Sequence, residues 1–169
     1  MVYVPYFLVI NPALPVKNIK DLIDLAKSQP GKINFASPGV GTPNHLGIEM
    51  LNQMAGVKFV HVPYKGPGLA LIDVMGGQVP LYFMNVLSAL PLVKAGKLRA
   101  LGVSSAERTA IAPEIPTIAE TGLRGFDMTN WYGLLVPSAT PREVIVKLNT
   151  EVARALRLPE LKSRLAEDG

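Results

Sequence analysis

Short apolar runs alternate with stretches of helical period along most of this chain, and glycine or proline marks each junction. That alternation restricts the fold to a sheet covered by helices. Phe7 to Ile10 is apolar and strand-forming, and Asn11, Pro12 and Pro15 close it because proline cannot extend a strand ladder. Behind Asn18, a good cap, Ile19, Leu22, Ile23 and Ala26 recur every three or four residues until Pro30-Gly31 stops the helix. Ile33 to Ala36, Val57 to Val62, Val79 to Phe83 and Leu98 to Val103 read as further strands. Thr42 to Ala55, Pro67 to Met75 and Val86 to Ala95 read as the helices between them. Strands this short, joined by helices, imply parallel crossovers, so the expected class is α/β with a parallel-type three-layer αβα lobe.

Beyond the last crossover the pattern changes. Ser104 to Pro116 has no period and carries Pro113 and Pro116, as a surface loop would. Thr129 to Val136 is a second extended apolar stretch, and Thr140-Pro141-Arg142-Glu143 has the form of a capping box with proline at the first helical position. Val144, Leu148, Val152 and Leu156 then share one helical face, and Pro159 opens a last helical piece that runs to Gly169. An apolar stripe there needs a surface to cover it. A neighbouring lobe outside this chain is expected, with docking on the same sheet as the alternative.

The 169 residues, 49% hydrophobic and 18% charged, suffice for one core and not for two domains. A net charge of +4 comes from scattered basic residues, with no arginine-rich helix or aromatic-interleaved basic strand, so small anions fit as partners and nucleic acid does not. Without cysteine there are no disulfides, thiolate nucleophiles or thiolate metal sites. Met1 to Ile10 lacks a basic leader and is broken by Pro5, which makes it neither a signal peptide nor a membrane span.

The most informative stretch is Ser37-Pro38-Gly39-Val40-Gly41-Thr42-Pro43-Asn44-His45, which leaves a strand and opens a helix. Gly39 and Gly41 let the backbone turn and approach a ligand, Thr42 is placed to cap, and Pro43 takes the first helical position. The free N–H groups of that helix start suit an anion at the carboxyl edge of the sheet. An ordinary capped turn would look the same. A dinucleotide loop fits worse, since the pattern is G-x-G-x-x-N and the next strand ends in Pro63-Tyr64-Lys65 with no acid for a ribose.

Two more loops follow strands on that edge. Tyr64 and Lys65 offer a hydroxyl and a cation, and Asn85 and Ser88 offer neutral donors. His45, held neutral by the helix start, is a candidate donor to a carboxylate and has no companions for a metal, while His61, inside an apolar strand, reads as structural. Trp131 is read as packing in the core or, with Tyr132, as flooring a cleft if the stretch is a hinge, in which case Trp131 is a candidate ligand contact. No catalytic spacing of histidine, serine or carboxylates occurs, so no enzyme, cofactor or metal centre is expected.

Val9-Ile10-Asn11-Pro12, Leu14-Pro15-Val16-Lys17, Gly39-Val40-Gly41-Thr42 with His45, His61-Val62-Pro63-Tyr64-Lys65-Gly66, Gly76-Gly77-Gln78-Val79, Ala95-Gly96-Lys97-Leu98-Arg99-Ala100-Leu101, Pro116-Thr117 with Glu120 and Gly122, and Trp131-Tyr132-Gly133-Leu134 occur in this order. As a set they resemble the Bug, or tripartite tricarboxylate transporter receptor, family over essentially the whole chain. The resemblance implies a type II periplasmic-binding fold in which an inserted lobe closes over a carboxylate ligand. Residues 1–11 would be the first crossover strand, 12–128 the inserted lobe, 129–137 the second crossover, and 138–169 helices of an incomplete first lobe. It also implies a periplasmic location, membrane permease subunits as partners, and ligand contacts at Ser37, Gly39, Val40, Gly41, Thr42, His45 and Asn85. Many relatives have Asp where this chain has Pro80 and Met84, and an acid beside the pocket would pair with a ligand amine. Its loss favours a plain mono- or dicarboxylate over an amino acid. Two other readings stay open: a small-molecule enzyme using the loop as an anion cradle, and a truncated lobe that self-associates with no ligand affinity.

Overall fold

In the computed structural model, which describes residues 2–161, the chain runs β1 (Val2–Ile10), α1 (Ile19–Ser28), β2 (Asn34–Ser37), α2 (Pro43–Ala55), β3 (Val60–Pro63), α3 (Pro67–Met75), β4 (Leu81–Asn85), α4 (Val86–Lys94), β5 (Arg99–Val103), β6 (Thr129–Tyr132) and α5 (Arg142–Ala155). Every expected strand and helix up to Val103 is present. The helical piece expected from Pro159 lies for the most part outside the described residues.

The strands form one sheet in the order β3-β2-β4-β1-β5, with β6 paired to β1. The central strands β1, β2 and β4 alternate their side chains between two cores. Leu8, Ile10, Phe35, Leu81 and Phe83 face α1 and α2, where they meet Ile19, Leu22, Ile48 and Leu51. Phe7, Val9, Ala36, Tyr82 and Met84 face the opposite way, onto Ala70 and Val74 of α3 and Val86 and Ala89 of α4. Two apolar layers on a central sheet give the three-layer αβα arrangement that the alternation required.

Strand direction is where the structure refines the sequence. β2 pairs parallel with β3 and with β4, but β1 runs antiparallel to both β4 and β5. The sheet is therefore mostly parallel, with one reversed strand inside it. Apolar periodicity reports which face a residue occupies and carries no information on direction.

β1 is also longer than its apolar run. Tyr6 to Ile10 pair with β4, while Val2 to Pro5 leave that pairing and pair with Thr129 to Tyr132 of β6. Pro5 is tolerated because this outer section has β6 on one side only, so one flank of the strand needs no donor. Ser104, fully buried, fixes the point of exchange: it donates its N–H to Tyr6 O, accepts Tyr6 N–H on Oγ, donates that hydroxyl to Met128 O and accepts Met128 N–H on its carbonyl.

Three local expectations are corrected. Thr42 occupies the cap position of α2 without a capping bond, because its hydroxyl donates to Gly39 O at 2.8 Å instead. Thr140 does not cap either: α5 begins after Pro141 with no side-chain cap. Trp131 is 52% exposed and does not pack in the core, and Tyr132 beside it is 57% exposed. Both sit on the β1–β6 ribbon beyond the layers that could bury them.

Candidate ligand site

β2, β3 and β4 are parallel neighbours, so the loops that follow them open on one edge of the sheet. Ser37 lies level with Pro63 in the ladder, which sets Tyr64 and Lys65 directly beside the glycine-rich loop. The β1–β6 ribbon starts from the same edge: Tyr6 is opposite Asn85, and Tyr3 pairs with Trp131 three residues farther out. At ~3.3 Å per residue, Trp131 stands roughly 10 Å above the loops. The topology thus gathers all the sequence-derived site residues at one end of the molecule.

The loop itself is held from inside. Ser37 is fully buried, its Oγ accepts Gly39 N–H at 3.1 Å, and it lies 2.9 Å from Gly39 O and 2.6 Å from His61 Nε2. Gly41 is at a φ of +79°, where only glycine sits without strain, and donates its N–H to His45 Nδ1 at 3.3 Å. His45 Nδ1 is the acceptor in this contact, and Nε2 faces Glu49 Oε1 at 3.8 Å. The His45 and His61 rings meet at a tilt of 32° with centroids 4.1 Å apart, and Phe35 stacks on His61 at 4.8 Å. Burial and the neighbouring His45 lower the pKa of His61, against a weaker upward pull from Glu49.

These contacts leave a defined set of donors. Gly39 and Gly41 N–H are taken, Pro43 has none, and Thr42 caps nothing. Among the described residues no acceptor takes the N–H of Val40, Thr42, Asn44 or His45. Val40, 77% exposed, holds the mouth of the loop open. Open amides and the positive end of α2 converge where an oxyanion can dock.

The other candidates divide. Lys65 is exposed and without an ion pair among the described residues. Tyr64 donates its hydroxyl to Asp73 at 2.7 Å, and burial together with that acceptor pushes its pKa up to about 12, so it is a neutral structural contact. Asn85 caps α4 by accepting Leu87 N–H at 2.8 Å, and Ser88 is exposed on the first turn of that helix. Pro80 sits at the opposite end of β4 from the loops, its carbonyl accepting Asn11 N–H, so of Pro80 and Met84 only Met84 is near the site. Sequence reasoning overlooked Asn44, which is buried and donates to Phe83 O at 2.6 Å, tying the start of α2 to the end of β4. An asparagine directly after a proline-opened helix start was the available signal. Among the described residues no His, Cys, Asp or Glu group could hold a metal, and no helix is long and apolar enough to cross a membrane.

The geometry is a loop of open amides beside a two-stranded ribbon, and the sequence match decides the family. The profile of the tripartite tricarboxylate transporter family receptor matches residues 1–169. The chain belongs to this receptor family. A UPF0065 protein from the tcbD-tcbE intergenic region of Pseudomonas sp. is 39% identical over 166 residues, covering 98% of the chain and 49% of the relative. Among solved receptors, R. palustris Rpa4515 with adipate superposes with a TM-score of 0.87 at 35% identity, covering 99% of this chain and 56% of that one. The periplasmic binding protein BugD superposes at 0.84 with 32% identity, covering 98% and 56%. The chain spans about half the length of the curated relatives it matches.

Proposed function

We propose that this chain is the ligand-gripping part of a periplasmic receptor that captures a small carboxylate for a tripartite tricarboxylate-type transporter. The observation that carries the reading is the set of four N–H groups at Val40, Thr42, Asn44 and His45, which have no acceptor among the described residues and gather at a helix start beside the exposed Lys65. The relative solved with adipate supports a plain dicarboxylate, as does Met84 in place of an acid. Residues 12–128 would form the inserted, gripping lobe, residues 2–11 and 129–137 the crossover strands, and α5 part of the incomplete first lobe. The exposed apolar ribbon and α5 support that division. The receptor would then hand its ligand to membrane permease subunits when the lobes close.

The enzyme reading loses ground at Ser37. Its 2.6 Å approach to His61 has the distance of a nucleophile and base, but Ser37 is fully buried and its hydroxyl is engaged inside the loop, out of reach of a substrate. One observation favours self-association as a second reading for the chain alone. Trp131 to Val136 and the Ile145, Leu148, Val152 and Leu156 face of α5 line an open groove of about 480 Å³.

A thermal-shift screen with mono-, di- and tricarboxylates and acidic amino acids tests the proposal. A ligand at a hundred times its Kd adds about 2.7 kcal/mol of stability and a clear rise in Tm. The substitution Val40→Asp, at an exposed position without backbone strain, should abolish that rise while leaving the ligand-free Tm in place. A chain that responds to none of the acids would refute the proposed grip.

A further inference from the structure

His61 lies one strand away from the glycine-rich loop and touches no open donor, yet it meets the loop at both ends. At the start, its Nε2 is 2.6 Å from Ser37 Oγ, the atom that also accepts Gly39 N–H. At the far end, its ring meets the His45 ring at a tilt of 32° with centroids 4.1 Å apart, and His45 Nδ1 accepts Gly41 N–H. The ladder explains the reach. His61 is the register partner of Phe35, so it stands on the α2 face of the sheet with Ser37 two residues farther along the neighbouring strand.

We infer that His61 is a positioning residue for ligand capture, bracketing the loop from Ser37 to His45 so that its free N–H groups stay fixed for a carboxylate. This rests on the receptor reading above. The bracket works through a shared proton. Ser37 has one hydroxyl hydrogen and two acceptors within reach, Gly39 O at 2.9 Å and His61 Nε2. With the imidazole neutral and protonated on Nδ1, the hydroxyl donates to His61, its lone pairs remain for Gly39 N–H, and Thr42 supplies Gly39 O. The groups that face His61 are Phe35 and Ser37 of β2, neither of which titrates, and His45 and Glu49 of α2. Burial favours the neutral form that this arrangement needs.

The test uses the whole 169-residue chain with succinate and citrate as probes, and the variants His61→Phe, His61→Gln, Ser37→Ala and the Ser37→Ala/His61→Phe double. His61→Phe keeps a stacking ring and removes the acceptor, so affinity for the better-bound probe should fall roughly tenfold, the scale of one lost hydrogen bond. His61→Gln, which can still accept from Ser37, should recover most of it. The double variant should bind no more weakly than the worse single one, because both substitutions break one contact. Unchanged affinity in His61→Phe, or additive losses without rescue by Gln, would overturn the inference. If His61→Phe does not fold, Ser37→Ala and His61→Gln carry the same comparison. If the wild-type chain binds neither probe, the receptor reading fails for this chain, and amide exchange at Gly39 and Gly41 decides the bracket. Faster exchange in Ser37→Ala and His61→Phe supports it, and unchanged exchange removes it.

Discussion

His61 gives the loop region a pH dependence on the acid side of neutrality. Its folded pKa is lowered, first by burial and then by the His45 ring, so the native state prefers the neutral imidazole. An unfolded histidine takes its proton near pH ~6.5. The stabilisation from neutral His61 is therefore complete above that value, and it is lost as pH falls from there through the lower folded pKa, because the unfolded chain binds the proton first. Urea unfolding at pH 7.5 and pH 5.5 should show wild type losing more stability across the interval than His61→Phe. Equal losses would mean that His61 is not held neutral. Neither this behaviour nor the bracket was legible in the sequence. The residues of the glycine-rich loop were, because Gly39, Gly41 and Pro43 have local meanings that can be read in order. His61 meets Ser37 across 24 positions of sequence, through a strand register that no local pattern encodes. The same holds for Tyr64, whose hydroxyl meets Asp73 of α3 in a contact that no local pattern encodes.

Strands and helices were legible where each has one apolar face and a proline or glycine boundary, as in α1 behind Asn18, whose side chain does accept Asp21 N–H at 2.8 Å. β1 was legible only over its apolar half. Its outer half is a strand because of its partner: Val2 to Pro5 pair with β6, whose residues come more than a hundred positions later. The exchange between sheet and ribbon depends on Ser104, which serves Tyr6 N–H and Met128 O with one hydroxyl. Ser104→Ala leaves a buried donor and a carbonyl without that partner. A loss of about 1–3 kcal/mol in unfolding free energy is expected, since an unsatisfied buried polar group costs its full desolvation. Proline-free limited proteolysis sites between Asp127 and Thr129 should also open, as the ribbon loses its anchor at Met128. Denaturant titration with a stability change below a few tenths of a kcal/mol would show instead that water replaces the hydroxyl. A glycine does comparable work for α2. A Cβ on Gly47 would lie 2.6 Å from Met128 Cε and 3.5 Å from the Phe83 ring, so the bare backbone lets α2 close onto the sheet beside the ribbon.

The molecule as a whole has two unlike ends. One is a finished three-layer lobe whose apolar residues lie in two cores on either side of the sheet. The other is the β1–β6 ribbon and α5, where Tyr3, Trp131, Tyr132, Leu134, Leu135, Val146 and Leu148 are exposed and no residue of α5 is buried. An apolar face of this extent is the part of the sequence-derived reading that asked for a covering surface, and in the chain alone the sheet does not provide it. A second copy is the surface always available in a pure sample. Sedimentation at rising concentration should therefore show mass above the monomer. The only tryptophan, Trp131, lies on this face, so its emission should shift to the blue as association removes it from water. Leu134→Asp with Leu135→Asp places two charges on residues that are 76% and 89% exposed, which should restore the monomer without lowering Tm. A wild-type chain that stays monomeric with unchanged Trp131 emission would show that the face tolerates water. The carboxylate response of the charged variant separates the two ends: retained binding assigns the grip to the lobe and its loop, whereas binding lost with the dimer would make the second copy part of the site.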